Sequence, residues 1–213
     1  MERVICVAIG YLFGLVQTGY IYGRWNKVDI RKHGSGNAGA TNALRTLGWK
    51  AGVITFLGDC LKCVLAVVIV RALFAGNENV QLLAMYSGFG AVLGHNYPFY
   101  LGFKGGKGIA STAGLILAIH PIMFLTIAIV FVAILLLTKY VSLGSIVIMI
   151  LFVVEVVVYG QMGEFALSGM ALYEFYSIAF ILAGLAIYRH KENIKRLLKG
   201  TENKTDILKK GKK

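Results

Sequence analysis

Six long apolar runs constrain this chain more than any other feature. They cover residues 5–22, 52–74, 80–101, 109–138, 142–159 and 171–188. A helix needs ~20 apolar residues to cross a bilayer, so 213 residues leave room for at most about ten spans. The runs are continuous and do not alternate, and the chain has only two prolines, which argues for helices and against a barrel. Composition excludes the other classes. Hydrophobic residues make up 57% and charged residues 15%, with a mean hydropathy of +0.71. An ordinary soluble domain has about 45–50% and about 25%, and a disordered chain is poorer still in apolar residues. Cys6, Cys60 and Cys63 all lie in apolar runs. An odd count gives no disulfide framework, and C-L-K-C without a second pair reads as buried thiols. The charged pair Glu2–Arg3 precedes the first run and no small-residue cleavage site follows it, so it reads as a retained span and not a signal peptide.

The net charge of +12 is unevenly spread. Residues 24–50 hold six Lys/Arg against one acid, and 189–213 hold ten against three. In a soluble protein this would point to nucleic acid. In a membrane protein the simpler cause is the positive-inside rule, and no nucleic-acid partner is expected. With the N-terminus outside, the first three runs deliver 24–50 and 102–108 to the cytoplasm. If 109–138 were one span, the tail would end outside. Pro121 lacks an N–H and disfavours helix just before it. Breaking the 30-residue run there returns the chain to the cytoplasm at Lys139 and brings the tail inside. The expectation is an all-α polytopic integral membrane protein. It is a seven-helix bundle with a broken or half-length fourth segment at 109–119, and no separate soluble domain.

Three polar stretches fall on the cytoplasmic face. HGSGNAGATNALRTLG (33–48) combines Gly34, Gly36 and Gly39 with the neutral donors Ser35, Asn37, Thr41 and Asn42. Glycine-rich turns aim backbone N–H groups at anions, and Arg45 adds a fork suited to phosphate. The spacing is not that of a nucleotide P-loop, and a plain interhelical loop would have similar composition. LGHNYPFYLGFKGGKG (93–108) brackets Lys104 and Lys107 with Gly102, Gly105, Gly106 and Gly108. Close backbone approach, point charge and a helix N-terminus make a phosphate site there. His95 and Asn96 close the preceding span, where a lone histidine is more often structural than catalytic. In YRHKENIKRLLKGTENK (188–204), helical spacing over 189–199 puts His190, Asn193 and Leu197 on one side. It puts Lys191, Lys195 and Lys199 on another, facing anionic headgroups. A charged tail that only sets topology explains the lysines but not the His190–Asn193 pair. Asp59 and Lys62, three apart within a span, read as an internal ion pair supporting the first loop. Ser142 sits at the cytoplasmic end of its span, within reach of the site.

No His/Cys/carboxylate cluster has metal-ligand spacing, so no metal and no cofactor is expected. No histidine has an aspartate five positions on: those positions hold Ala38, Tyr100, Leu125 and Lys195. This closes the H-x-x-x-x-D route of many acyltransferases. An anion channel or phosphate transporter is a second reading. Against it, the polar motifs crowd one face, with only Asp59 and Lys62 at mid-membrane and no inverted repeat. A non-enzymatic lipid-binding scaffold would not require Ser35 or the His190–Asn193 pair.

Over residues 1–204, GSGNAGATN with Arg45, GHNYP with FKGGKG, and HKENIKRLLKGTEN closely resemble the bacterial acyl-phosphate:glycerol-3-phosphate acyltransferases, the PlsY family. Cys63 departs from that pattern, where a glycine is usual after D-x-x-K. The resemblance implies a transmembrane acyltransferase domain over 1–188, with cytoplasmic loops 24–50 and 102–108. A basic cytoplasmic amphipathic tail follows over 189–213, and the site is the bacterial inner membrane. It implies transfer of an acyl group from acyl phosphate to the sn-1 hydroxyl of sn-glycerol 3-phosphate. Neither acyl-CoA nor acyl-carrier protein would be the donor. Glycerol 3-phosphate would lie on the FKGGKG loop and the donor near Ser35. Arg45, Lys104, Ser142, His190 and Asn193 would orient phosphates and the developing oxyanion, and Glu202 would be structural. Either the donor's own phosphate or His190 takes the proton.

Overall fold

A computed structural model describes residues 1–205. The last part of the expected tail, 206–213, lies outside the described residues. Within them the chain is helical, with ten α-helices and two short 3₁₀ turns, Ile30–Lys32 and Phe99–Leu101. The helices are α1 (Glu2–Gly14), α2 (Thr18–Trp25), α3 (Ala40–Leu47), α4 (Trp49–Leu73), α5 (Val80–Asn96), α6 (Ile109–Ile119), α7 (Pro121–Thr138), α8 (Val141–Gln161), α9 (Gly169–Arg189) and α10 (Lys191–Leu198). Five stretches have the length and apolarity to cross a membrane: α1 with α2, α4, α7, α8 and α9. The 17 residues of α5 and the 11 of α6 are shorter. At 1.5 Å per residue α6 is about 16 Å long, roughly half a bilayer core.

The 109–138 run breaks at His120, as the proline requires. The His120 ring caps α7, its Nδ1 accepting from Met123 N at 3.3 Å. The last carbonyls of α6 need partners where water is scarce. Arg71 of α4 supplies one, donating to Ala118 O at 2.5 Å. The first apolar run also breaks, which the sequence reading did not anticipate. Instead of one helix over 5–22, α1 stops at Gly14 and α2 starts at Thr18. Carbonyls freed at the break are taken by side chains, one distant in sequence and one from the break itself, which also ties it to the end of α5. Lys62 Nζ donates to Val16 O at 2.5 Å, and Gln17 Nε2 donates to Gly14 O at 3.2 Å and His95 O at 3.1 Å.

Helices in lipid gain little from the hydrophobic effect between them, so close backbone packing matters more. The broadest contact is α1 on α5, and it is built on two facing small-residue pairs. A methyl on Gly10 or Gly14 would fall 1.9 Å from Ser87 O or 2.2 Å from Ala91 O. One on Gly90 or Gly94 would fall 2.2 Å from Val7 O or Tyr11 O. This contact sets the end of α5, and with it the loop that follows, against the α1–α2 break. Around α5 to α9 a core of buried side chains, including Met149, Phe152, Phe165, Phe175 and Leu182, fills the bundle. All three cysteines are buried and free.

Candidate active site

The first glycine-rich loop is folded around one buried amide. Asn42 Nδ2 donates to the carbonyls of Ile30 (2.8 Å), Asn37 (2.9 Å) and His33 (3.1 Å), and Oδ1 accepts from Ser35 N at 2.8 Å. Gly34 and Gly36 take positive φ, +58° and +70°, a region costly for residues with a Cβ. Asp29 caps the turn before the loop, accepting from Arg31 N at 3.1 Å and Arg31 Nε at 3.0 Å. These bonds hold the Asp29 carboxyl below the usual range. Arg31 also lies over the Tyr20 ring at 4.7 Å, which orients it.

The second loop folds back on the end of α5. Gly105 N donates to Asn96 O and Gly106 N to His95 O, both at 3.1 Å. From the other side Arg189 donates to Gly105 O at 3.0 Å and Gly106 O at 2.7 Å. Gly108 (φ +85°) then caps α6.

The third stretch does not continue as one helix over 189–199. The chain bends at His190, which ends α9 and opens α10. His190 Nδ1 lies 2.7 Å from Ala186 O. A carbonyl only accepts, so Nδ1 carries the proton. Burial, reinforced by the nearby Lys107, pushes the His190 pKa down to about 4. Lys107 donates to Asn193 Oδ1, and Asn193 Nδ2 donates to Glu202 Oε1 at 2.8 Å. Arg196 Nε completes the chain to Glu202 Oε2 at 2.7 Å. Burial would raise the Glu202 pKa, but the bonds from Asn193 and Arg196, with the buried Ser142 hydroxyl nearby, hold it below the usual range. Burial pushes Lys107 down to about 8, only partly offset by Glu202. Arg45 holds the segment beyond, donating to Thr205 Oγ1 at 3.0 Å and Asn203 O at 3.3 Å. Thr205 N in turn donates to Lys139 O.

The three stretches meet around a cavity of about 790 Å³. Of the residues singled out from the sequence, Gly34, Ser35, Gly36, Asn37, Lys104, Gly105, Lys107 and Asn193 line it. Thr41, Asn42, Arg45, His95, Asn96, Gly102, Gly106, Gly108, Ser142, His190 and Glu202 are not on its wall. Asn42, Arg45 and Glu202 hold wall elements in place through the bonds above. Asp59 and Lys62 pair at 2.9 Å deep in the bundle. Their contacts run to the α1–α2 break and to His95, not to the 33–48 loop that the sequence reading had them support. The wall also includes Asp29, Arg31, Lys32, Arg189, Glu192, Arg196 and Asn203, which the sequence reading did not select. Arg31 and Lys32 directly precede the first motif and Arg189 precedes His190, so adjacency was the available signal. Six cations face the cavity (Arg31, Lys32, Lys104, Lys107, Arg189, Arg196) against Asp29 and Glu192. Each of these acids is already paired, with Arg31 and Lys195. The enclosure is therefore strongly anion-attracting and suited to more than one phosphate.

Residues 4–200 match the family model described as glycerol-3-phosphate acyltransferase. A protein of that name from Thermoanaerobacter sp. (strain X514) is 42% identical over 96% of both chains. One from Clostridioides difficile (strain 630) is 44% identical over 94% of both. Among solved structures, the glycerol 3-phosphate form of PlsY, an integral membrane glycerol 3-phosphate acyltransferase, superposes with a TM-score of 0.85. It is 36% identical over 98% of each chain. The lysophosphatidic acid form gives 0.83 at 35% identity. A multi-pass helical bundle whose glycine-rich loops close on a cationic cavity, with such likeness along its whole length, belongs to the PlsY family of glycerol-3-phosphate acyltransferases.

Proposed function

We propose that this enzyme transfers a fatty acyl group from acyl phosphate to the sn-1 hydroxyl of sn-glycerol 3-phosphate. The products are lysophosphatidic acid and inorganic phosphate, in the first acylation of phospholipid synthesis. The observation that carries this reading is the single cavity on which both glycine-rich loops open, with six cations around it. Both substrates bear a phosphate, and two anions must sit side by side. Glycerol 3-phosphate lies against Lys104, Gly105 and Lys107, and the donor phosphate against Ser35, Gly36 and Arg31. Bringing the two together supplies most of what an already activated mixed anhydride needs.

In the step itself the sn-1 oxygen attacks the acyl carbon and an oxyanion develops. Nearby cations and donors stabilise that charge. The carbon–oxygen bond to phosphate then breaks and phosphate leaves. The hydroxyl proton goes to an oxygen of the departing phosphate. An imidazole with a pKa of about 4 is a weak base near pH 7, which favours the phosphate over His190. Lys107, Asn193, Arg45, Ser142 and Glu202 orient these groups.

In this reading α5 and α6 join the five longer stretches to make seven segments, and the positive-inside rule supports an outside N-terminus with a cytoplasmic site and tail. The exposed basic residues of loops and tail rest against anionic lipid. Residence in the bacterial inner membrane follows from the same reading. Purified protein given palmitoyl phosphate and glycerol 3-phosphate should release phosphate and lysophosphatidic acid in equal amounts. Palmitoyl-CoA or palmitoyl-acyl-carrier protein in place of the acyl phosphate should give no product. Product from either thioester alone would refute the donor assignment.

A further inference from the structure

One group of buried ionisable side chains has no part in that scheme. Asp59, Lys62 and His95 are 1%, 4% and 2% exposed. Lys62 Nζ lies 2.9 Å from Asp59 Oδ1 and 2.9 Å from His95 Nδ1. An ammonium group has only protons to give, so His95 Nδ1 is the acceptor. The imidazole is then the neutral tautomer, with its proton on Nε2. That edge of the ring lies against the lysine loop: a methyl on Gly106 would fall 2.0 Å from His95 Nε2. The backbone of the same residue accepts from Gly106 N, while Arg189 grips the Gly105 and Gly106 carbonyls from the other side. The two glycines are thus held between a buried ring and an arginine, with Lys104 before them and Lys107 after. Satisfying the α1–α2 break explains Lys62 and its counter-charge Asp59. It does not explain a ring held in one tautomer against the loop.

We propose that Asp59, Lys62 and His95 are positioning residues for the glycerol 3-phosphate site. The ion pair fixes the rotamer and tautomer of His95. The His95 ring is the floor on which Gly105 and Gly106 turn, and this floor sets the spacing of the Lys104 and Lys107 ammonium groups. Preorganisation of this kind needs a supporting layer locked by its own packing and hydrogen bonds. The inference rests on the placement of glycerol 3-phosphate at this loop.

The test is a double-mutant cycle read by calorimetric binding of glycerol 3-phosphate and by steady-state kinetics with palmitoyl phosphate. His95→Asn keeps an acceptor for Lys62 but removes the ring. Glycerol 3-phosphate Kd and KM should rise about tenfold, the palmitoyl phosphate KM should stay within about twofold, and kcat should change less than threefold. Gly106→Ala alone should also weaken glycerol 3-phosphate, because its methyl collides with the ring. In the His95→Asn background the methyl has room, so the combined loss should be at least about fivefold smaller than the product of the two single losses. Residues in contact show such non-additivity and distant ones do not. If His95→Asn does not yield folded protein, His95→Gln takes its place in the cycle. Additive losses, an unchanged glycerol 3-phosphate Kd, or equal weakening of both substrates would overturn the inference. So would a fall in thermal stability and kcat with both KM values unmoved, since that is the signature of a structural role alone. Wild-type enzyme that fails to bind glycerol 3-phosphate would instead refute the functional reading, and this inference with it.

Discussion

Lys107 is the cavity cation whose charge the structure places closest to the working pH. Its ammonium is half-buried, and burial pushes its pKa from 10.5 down to about 8. At 1.36 kcal/mol per pH decade, loss of water costs the charged form about 3 kcal/mol more than its neighbours return. Below about pH 8 the side chain is a cation, and above it the charge is lost. In the free enzyme roughly nine-tenths of Lys107 is charged at pH 7 and roughly one-tenth at pH 9. The pH dependence of kcat/KM reports the free enzyme. The kcat/KM for glycerol 3-phosphate should therefore fall about tenfold from pH 7 to 9. The kcat profile should hold to higher pH, because a bound phosphate dianion favours the charged lysine. Lys107→Arg keeps its charge throughout. It should be less active overall, since the contact with Asn193 cannot be reproduced by a longer planar group, but its profile should be flat to pH 9. Initial rates of phosphate release at limiting glycerol 3-phosphate, corrected for spontaneous acyl phosphate hydrolysis, give both profiles. A wild-type kcat/KM that is level to pH 9.5, or the same alkaline limb in Lys107→Arg, would refute the reasoning.

His190, with its pKa near 4, is already neutral over the usual assay range, so His190→Gln should lower the rate yet keep any acid limb between pH 5.5 and 7. Substrate phosphates, with second pKa values of ~6 for esters, would own that limb, and its disappearance in a folded His190→Gln enzyme would make His190 the base. Glu202→Gln removes the charge from two hydrogen bonds, each worth about 1.5–3 kcal/mol when intact, discounted because Arg196 is 36% exposed. Trypsin should then cut the tail at Arg196 or Lys199 several-fold faster than in wild type, and an unchanged cleavage rate would remove Glu202 from its structural role. A cysteine at Lys204, in a chain whose native cysteines are replaced, should resist an impermeant thiol reagent in intact cells, and labelling before permeabilisation would overturn the cytoplasmic placement of the tail.

Local features of the sequence determined the class of molecule and the rough position of its helices. Apolar runs of bilayer length report membrane helices because each residue's transfer energy acts where it stands. The break at Pro121 was legible for the same reason, since its cause is a missing N–H within the broken segment. Glycine clusters with lysine likewise marked the phosphate-type loops, because backbone freedom and charge are properties of the residues themselves. Only tertiary structure decided the rest. The break at 15–17 depends on Lys62, 46 residues beyond Val16, supplying protons to carbonyls that a lone helix would have kept. Asn42 reads as a ligand donor, yet its amide is consumed by the backbone of its own loop. Arg189 and Arg196 read as tail charges that set topology, yet the bend at His190 turns them onto the cavity wall. In each case the residue type was legible but its partner was not, because a buried polar group takes whichever partner the folded backbone and packing bring within reach.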